Sequence, residues 1–291
     1  LCQRYANSGI KMKLYKYRKF SEFLIKELCS SEIYFSDPSC FNDPLDCSPI
    51  IENDLNIKEL EYLCYMMLCK NKGKIAAKEN IERFKYYATE YEGQYEKSLS
   101  FQLLYEIKNQ LDLVMKNIGV LSLSRKNDSP LMWSHYANEH KGVCLEFDIE
   151  TAARKPKEID YKGTRGISAK LIQEYICSDS AQARELIEKQ YFFTKASEWS
   201  YESEWRLLSK SYGSKSAPFY LTGIYFGMRC DTWIVASIIK LLHNENSNVK
   251  FYRMHADSSS FNLNVEVLEA QEWVSCIPRP SAVMAFSEYR R

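Results

Sequence analysis

Hydrophobic and polar residues alternate in short stretches near both ends of the chain. A period of two is typical of a β-strand, because successive side chains point to opposite faces of a sheet. Val120–Ser124 shows the pattern clearly and predicts a half-buried strand. Strands are predicted at Leu14–Arg18, Glu32–Ser36, Val120–Ser124, Gly142–Asp148, Glu204–Ser209, Gly223–Gly227, Val249–Met254 and Asn262–Val267.

Elsewhere the apolar positions recur every three or four residues, which is the spacing of an amphipathic helix. Residues 55–118 form the longest such block, and Gly73 and Gly93 are expected to separate its helices. Because helices and strands are segregated, the pattern predicts an α+β fold. We expect a mixed, mostly antiparallel sheet of about seven or eight strands with inserted helical segments. Further helices are predicted at Phe20–Cys29, Leu131–Glu139, Ala169–Ser197 and Thr232–His243.

The expected domain organisation is one α+β domain over residues 12–268, which includes the helical insertion at about 55–118. Residues 269–291 contain two prolines after Trp273 and are expected to form a peripheral C-terminal tail. A chain of 291 residues is within the range of a single large domain.

The amino-acid composition limits the classes of protein to which the chain can belong. Hydrophobic residues make up 45% and charged residues 26% of the chain, which is typical of a globular protein. The formal net charge of +1 shows no basic excess of the kind common in nucleic-acid-binding domains. No stretch approaches 18 consecutive apolar residues, so we expect no membrane span.

Ten cysteines occur without any C-x-x-C pair. Structural zinc sites usually take two ligands from one tight turn, so no metal site is predicted from them. Several of the cysteines lie inside apolar segments, where a thiol acts as a small hydrophobic group. Reduced thiols in a cytoplasmic protein explain this distribution.

Four short polar and aromatic motifs stand out: Leu14–Arg18, Phe35–Pro38 leading to Phe41–Pro44, Met132–Tyr136 leading to Gly142, and Trp199–Arg206. In order and spacing they resemble the bacterial domain-of-unknown-function family 2971, from Met12 to about residue 268. The resemblance implies a fold and no particular reaction.

The fourth motif contains Glu202, Glu204 and Arg206 at alternate positions. On a strand, Glu204 and Arg206 share a face, and Glu202 joins them if the strand starts early. The three residues form either a charge ladder on a solvated face or a carboxylate pair held by arginine, in which mutual repulsion raises one pKa. Trp199, Tyr201 and Trp205 reduce the access of water to this face.

Taken in chain order, Arg18, the pair Ser122 and Ser124, and Glu202-x-Glu204 are similar to the R–S–E arrangement of ADP-ribosyltransferases. That resemblance implies NAD as substrate, with Arg18 on its phosphates and the serines bracing the site. It implies Glu204 as the catalytic carboxylate and Glu202 as the residue that activates the acceptor. Read without the resemblance, Arg18 is a surface cation and the serines are the polar side of a strand.

The third motif offers Trp133, His135 and Tyr136. His135 is a candidate general acid or base, or a structural histidine that holds a loop. Trp133 and Tyr136 are candidates for stacking on a base or nicotinamide ring. Tyr17 and Arg206 complete the predicted cofactor-binding set.

The second motif contains Asn42-Asp43-Pro44, which is first of all a turn. It also places Asp43 as a candidate at the mouth of a cleft.

Three functions are consistent with these motifs. The first is a nucleotide-handling enzyme resembling an ADP-ribosyltransferase or NAD-cleaving effector of bacterial defence or toxin systems, with a nucleic-acid or protein acceptor. The second is a metal-dependent nuclease or phosphodiesterase that uses Asp43, Asp128, His135, Glu202 and Glu204 as ligands. The third is a non-enzymatic sensor or interaction module in phage defence or stress signalling. Its motifs would form a satisfied polar network, with Glu202 and Glu204 engaged by local hydrogen bonds and no open pocket beside them.

Overall fold

A computed structural model describes residues 12–91, 93–150, 152–243 and 248–275. The predicted α+β class is confirmed. The strands are β1 (Lys13–Arg18), β2 (Glu32–Phe35), β3 (Ile50–Glu52), β4 (Gly119–Ser124), β5 (Val143–Asp148), β6 (Lys157–Glu158), β7 (Gly166–Ser168), β8 (Glu204–Ser209), β9 (Gly213–Ser216), β10 (Tyr220–Phe226), β11 (Lys250–Ala256) and β12 (Leu263–Leu268). The α-helices are α1 (Glu22–Ser30), α2 (Ile57–Lys72), α3 (Lys74–Thr89), α4 (Tyr95–Met115), α5 (Pro130–Tyr136), α6 (Ala169–Ser178), α7 (Ala181–Phe192), α8 (Thr232–Leu242) and α9 (Ala270–Ser275).

Eight strands form one sheet, and this number agrees with the predicted seven or eight. Their order in the sheet is β12-β11-β10-β5-β1-β4-β8-β6. Strands β10 and β11 are parallel, whereas β1–β4, β1–β5, β5–β10, β11–β12 and β6–β8 are antiparallel. The sheet is therefore mixed and mostly antiparallel.

The chain divides into two compact units. The described residues of unit 1 fall within Leu1–Ile33, Leu123–Lys155 and Ser214–Arg291, and those of unit 2 within Tyr34–Ser122 and Pro156–Gly213. The expected domain boundaries at 12–268 and 269–291 stay predictions.

Unit 1 is built on β1, β5, β10 and β11. Strand β1 pairs with β5 from Lys13 opposite Asp148 to Arg18 opposite Val143. Helix α8 is strongly apolar and packs against α1. The core of unit 1 includes Leu14, Leu24, Trp133, Val143, Ile224, Phe226, Val235, Ile238 and Phe251.

Unit 2 is mainly helical, and α2 packs against α3, α4 and α6. Asn56 begins α2 with a capping box, in which its side chain accepts from Glu59 N and the Glu59 carboxylate accepts from Asn56 N. Its core includes Leu60, Leu63, Leu103, Ile107, Leu111, Ile172, Ile187 and Phe192. The predicted helical insertion at 55–118 is thus confirmed as α2, α3 and α4, with Gly73 and Gly93 at the breaks.

Four predictions about local structure need correction. Strand β4 was expected to be half-buried, but five of its six positions are buried because it is an interior strand between β1 and β8. Strand β2 pairs with β9 outside the large sheet. The helix predicted at Ala169–Ser197 breaks at Asp179, which has left-handed φ, so that Ser180 can cap α7. Helix α5 ends before Asn138, Glu139 and His140, which all have positive φ.

Candidate functional site

A buried arginine is the centre of a polar network in unit 2. Arg206, only 1% exposed, lies on β8 and donates two hydrogen bonds to the carboxylate of Asp46, at 2.9 and 2.6 Å. It donates two more to Glu204, at 2.7 and 3.0 Å. Nη1 also donates to the backbone oxygen of Phe192 and to Sγ of Cys47. The planar guanidinium therefore clamps two carboxylates at once.

A second buried cation closes the network. Lys195 Nζ lies 2.6 Å from Glu202 Oε2, 3.2 Å from Glu204 Oε2 and 3.4 Å from Asp46 Oδ2. The same ammonium lies 5.0 Å from the centre of the Trp199 ring, within cation–π range. Three carboxylates and two cations leave one formal negative charge in excess.

Local backbone geometry explains how the two glutamates reach Lys195. Glu202 ends a 3-10 helix at Ser197–Glu202, and Ser203 has left-handed φ before β8 begins. The strand does not start early, so Glu202 does not share a strand face with Glu204. The Glu204 backbone N–H donates to Tyr161 Oη at 2.9 Å, and its carbonyl accepts from Ile159 N.

Glu204 and Lys195 are both stabilised in their charged forms. Burial by itself raises the pKa of Glu204, but Arg206 and Lys195 outweigh burial and lower the pKa to about 2. Burial lowers the pKa of Lys195, but Glu204, Glu202 and Asp46 more than compensate and raise it. Lys195 is therefore a permanent cation and unsuited to act as a base.

Two cavities adjoin this network, and both are lined by unit 2. The first cavity has a volume of about 290 Å³ and the second about 720 Å³. Both are lined by the segment at residues 43–48, which separates them. The lining of the first includes Asp43, Asp46, Tyr161, Gln190, Lys195 and Glu198. The lining of the second includes Asp37, Phe41, Lys108, Asp112, Lys116 and Tyr191.

The turn predicted at Asn42-Asp43-Pro44 positions the shared wall. Asp43 Oδ1 accepts from Leu45 N at 2.8 Å, and Oδ2 accepts from Trp199 Nε1 at 2.8 Å. The second and fourth motifs therefore meet through one hydrogen bond. Asp43 lines both cavities, and its expected position at the mouth of a cleft beside the first two strands stays a prediction.

The structure brings four of the predicted site residues together in unit 2. Glu202, Glu204 and Arg206 are in the network, and Ser122 hydrogen-bonds to Glu204. The glutamates are 3% and 4% exposed. The solvated charge ladder is therefore wrong as an interpretation of this motif.

The predicted residues of unit 1 have other partners. Arg18 forms an ion pair of 2.5 Å with Glu27 and keeps 25% of its side chain exposed. Tyr17 is buried, donates to the Lys126 backbone oxygen at 2.9 Å and meets Trp133 edge to face. Trp133 has no exposed surface and donates to the Asn127 backbone oxygen at 2.8 Å, so its ring has no face for stacking on a ligand.

The remaining three candidates are also in unit 1. His135 is exposed, and its ring centre lies 6.4 Å from that of Tyr136. Ser124 is buried and accepts from Lys126 N at 3.0 Å. Near this motif, the His140 ring stacks on Trp133, and its Nε2 lies 3.3 Å from Ser134 Oγ.

Sequence reasoning missed Lys195, Asp46 and Tyr161. Asp46 and Arg206 are 160 residues apart in sequence, and no spacing rule links them. The only available signal was that Asp46 follows the turn motif at Asp43.

The metal-dependent alternative required at least three candidate ligands close together. Across the described residues, no group of three or more His, Cys, Asp and Glu side chains is arranged to hold a metal ion. The carboxylates that do converge are bound by Lys195 and Arg206.

Comparison with known proteins gives one match. Residues 132–207 match a family described as "Protein of unknown function (DUF2971)". The chain matches no curated protein and no solved structure. In the described part of the chain, no helix has the length and apolar character needed to cross a membrane. The matched segment contains the third and fourth motifs together with Lys195. Over residues 132–207 the chain therefore matches the DUF2971 family, which is the family that the motifs predict.

Proposed function

We propose that this protein is a small-ligand recognition module, acting as a sensor or binding component, with its ligand in the first cavity of unit 2. In this proposal, the ion network around Arg206 has a structural role. It holds the segment at residues 43–48 in one position, so that the cavity wall is formed before a ligand arrives.

One observation carries the proposal. Asp46 lines both cavities and is bound by Arg206 through two hydrogen bonds and by Lys195 at 3.4 Å. A wall fixed by charge-assisted hydrogen bonds loses little conformational entropy on binding, which favours affinity.

The contacts of Glu204 favour a structural role of the network over a catalytic role. Its Oε1 accepts from Arg206, and its Oε2 is shared by Arg206 and Lys195. A catalytic carboxylate has to face a reacting atom, whereas Glu204 is almost fully buried and faces two cations. The hydrogen bonding supports the polar network expected of a non-enzymatic module, whereas the adjoining cavities depart from that expectation.

Ligand-detected NMR with a fluorinated fragment library tests the proposal. Ala196 is exposed and lines only the first of the two cavities, whereas Ser39 is exposed and lines only the second. We expect fragments to bind the wild type, to lose binding in Ala196→Trp and to keep it in Ser39→Trp. Fragment binding that both folded variants retain, or no binding to the wild type, contradicts the proposed site.

A second candidate is the nucleotide-handling enzyme that resembles an ADP-ribosyltransferase. Its support is the hydrogen bond from Ser122 to Glu204, which joins the S and E elements of the R–S–E arrangement within unit 2. Under this alternative NAD is the substrate, a protein or nucleic acid is the acceptor, and the role lies in bacterial defence. Incubation with NAD tests it: nicotinamide release by the wild type and its loss in folded Glu204→Gln would favour the enzyme.

A cytoplasmic location is part of both proposals. All eight cysteines among the described residues are unpaired thiols, which supports a reducing compartment.

A further inference from the structure

We infer that the ligand of the first cavity carries a positively charged group rich in hydrogen-bond donors, such as a primary ammonium or a guanidinium. This inference rests on the proposed function, because it assigns a chemical class to the ligand of that site.

The charge of the cavity wall supports a cation. The acidic and basic lining residues are Asp43, Asp46, Glu198, Lys195 and Arg165. Lys195 is shared among three carboxylates, whereas Asp43 and Glu198 have no ion pair with any described residue. Arg165 and Glu198 are both exposed, so solvent screens both of their charges, and Asp43 is the less exposed unpaired carboxylate. The ion network behind the wall adds a further excess negative charge.

Unused acceptors in the wall point in the same direction. Each carboxylate oxygen of Asp43 accepts one hydrogen bond from the protein and has capacity for another. A ligand with several N–H donors would use this remaining acceptor capacity of Asp43.

An anionic ligand fits the first cavity less well. A phosphate there would face Asp43 and Glu198, and like charges in a partly desolvated site repel. The volume of about 290 Å³ is near the lower end for small-molecule sites, which suits a compact cation more than a dinucleotide. Tyr161 adds an aromatic wall of the kind that cations favour.

Isothermal titration calorimetry tests the inference with agmatine, putrescine and guanidinium, compared with inorganic phosphate and ADP-ribose. The wild type should bind at least one of the three cations and neither anion in the first cavity. Asp43→Asn should weaken that binding roughly tenfold or more, because it removes the charge from an ionic hydrogen bond. Glu185→Gln removes an equal charge from an exposed position on α7 and should leave binding unchanged.

The outcomes separate the ligand class from the proposed site. Anion binding that Ala196→Trp abolishes, with no cation binding, overturns the ligand class while the site stands. Cation binding that is equally strong in Asp43→Asn also overturns the ligand class. If fragments and cations alike fail to bind the folded wild type, the proposed function itself is overturned.

Discussion

At the residue scale, Arg206 shows how the stability contribution of a buried ion network differs from that of an exposed ion pair. The wild-type guanidinium is compensated by Asp46 and Glu204, so its burial is tolerated. Removing the guanidinium leaves the carboxylates of Asp46 and Glu204 buried with less positive charge to balance them.

Arg206→Met should therefore lower the free energy of unfolding by about 3–5 kcal/mol. Urea denaturation followed by circular dichroism measures the change. Arg184→Met is the matched control, since Arg184 is exposed and pairs with Glu188 at i,i+4; its cost should stay below about 1 kcal/mol. Equal costs for the two variants would show that the network contributes no more than a surface pair.

Glu204 gives the stability of the protein a pH dependence. Its pKa is about 2 in the folded state and near the ordinary glutamate value of 4.5 when unfolded. A lowered folded pKa gives a contribution that is fully present above the unfolded pKa and is lost as pH falls through the folded one. Between pH 7 and pH 3 this single group should account for a loss of about 2 kcal/mol.

Urea midpoints at pH 7 and pH 3 measure this loss. Because other carboxylates also titrate, the informative quantity is the difference between variants. Glu204→Gln should show a smaller loss on acidification than the wild type, and Glu185→Gln, which alters an exposed carboxylate, should match the wild type. An identical acid loss in all three proteins would argue against a low pKa at Glu204.

At the element scale, the loop that precedes β5 requires a glycine at position 142, because no space is left there for a side chain. A Cβ on Gly142 would overlap the backbone oxygen of Arg18, at the end of β1, and would lie 2.9 Å from the backbone oxygen of Ala137. Gly142 also donates to Ala137 O and accepts from Gly227 N. Backbone atoms held on several sides cannot move to admit a methyl group.

Gly142→Ala should lower the free energy of unfolding by about 1–3 kcal/mol, the usual cost of overpacking. Thermal melts or urea titrations measure it. Lys141→Ala, an exposed change in the same loop, should stay within about 0.5 kcal/mol of the wild type. A stable Gly142→Ala protein would mean that β1 and the loop before β5 can separate at little cost.

Elements with a clean hydrophobic period were predictable from sequence. The helices of the insertion at 55–118 follow from spacing alone, since each buries one face. The strand at Leu14–Arg18 was also predicted from spacing, although its buried residues Leu14 and Tyr17 lie on opposite faces. The short strands β3, β6, β7 and β9 were not predictable, because two to four residues carry too little pattern. Their pairing is set by the partner strand and not by their own sequence.

Part of the candidate site was predictable as well. Glu202, Glu204 and Arg206 share one short motif, and their residue types already indicate a charged cluster. Lys195 and Asp46 lie outside that motif, and the fold brings them in through tertiary contacts. Glu202 was predicted to share the strand face only if the strand started early, and that condition is not met, because the left-handed turn at Ser203 precedes β8.

At the scale of the whole molecule, each unit has its own buried core. Leu14, Val143 and Phe226 are buried in unit 1, and Leu63 and Leu111 in unit 2. Separate cores of this kind are expected to behave as separate cooperative groups in native-state hydrogen exchange.

A crossed pair of variants tests this expectation by hydrogen exchange with mass spectrometry. Arg206→Met should raise exchange mainly in Tyr34–Ser122 and Pro156–Gly213, because the residues that Arg206 contacts all belong to unit 2. Gly142→Ala should raise it mainly in the described parts of unit 1. If either variant raises exchange uniformly along the chain, the two units unfold as one cooperative body. In that case the stability of the candidate site would depend on substitutions anywhere in the protein, and a loss of ligand binding in a variant would report on the site only after the fold of that variant had been checked.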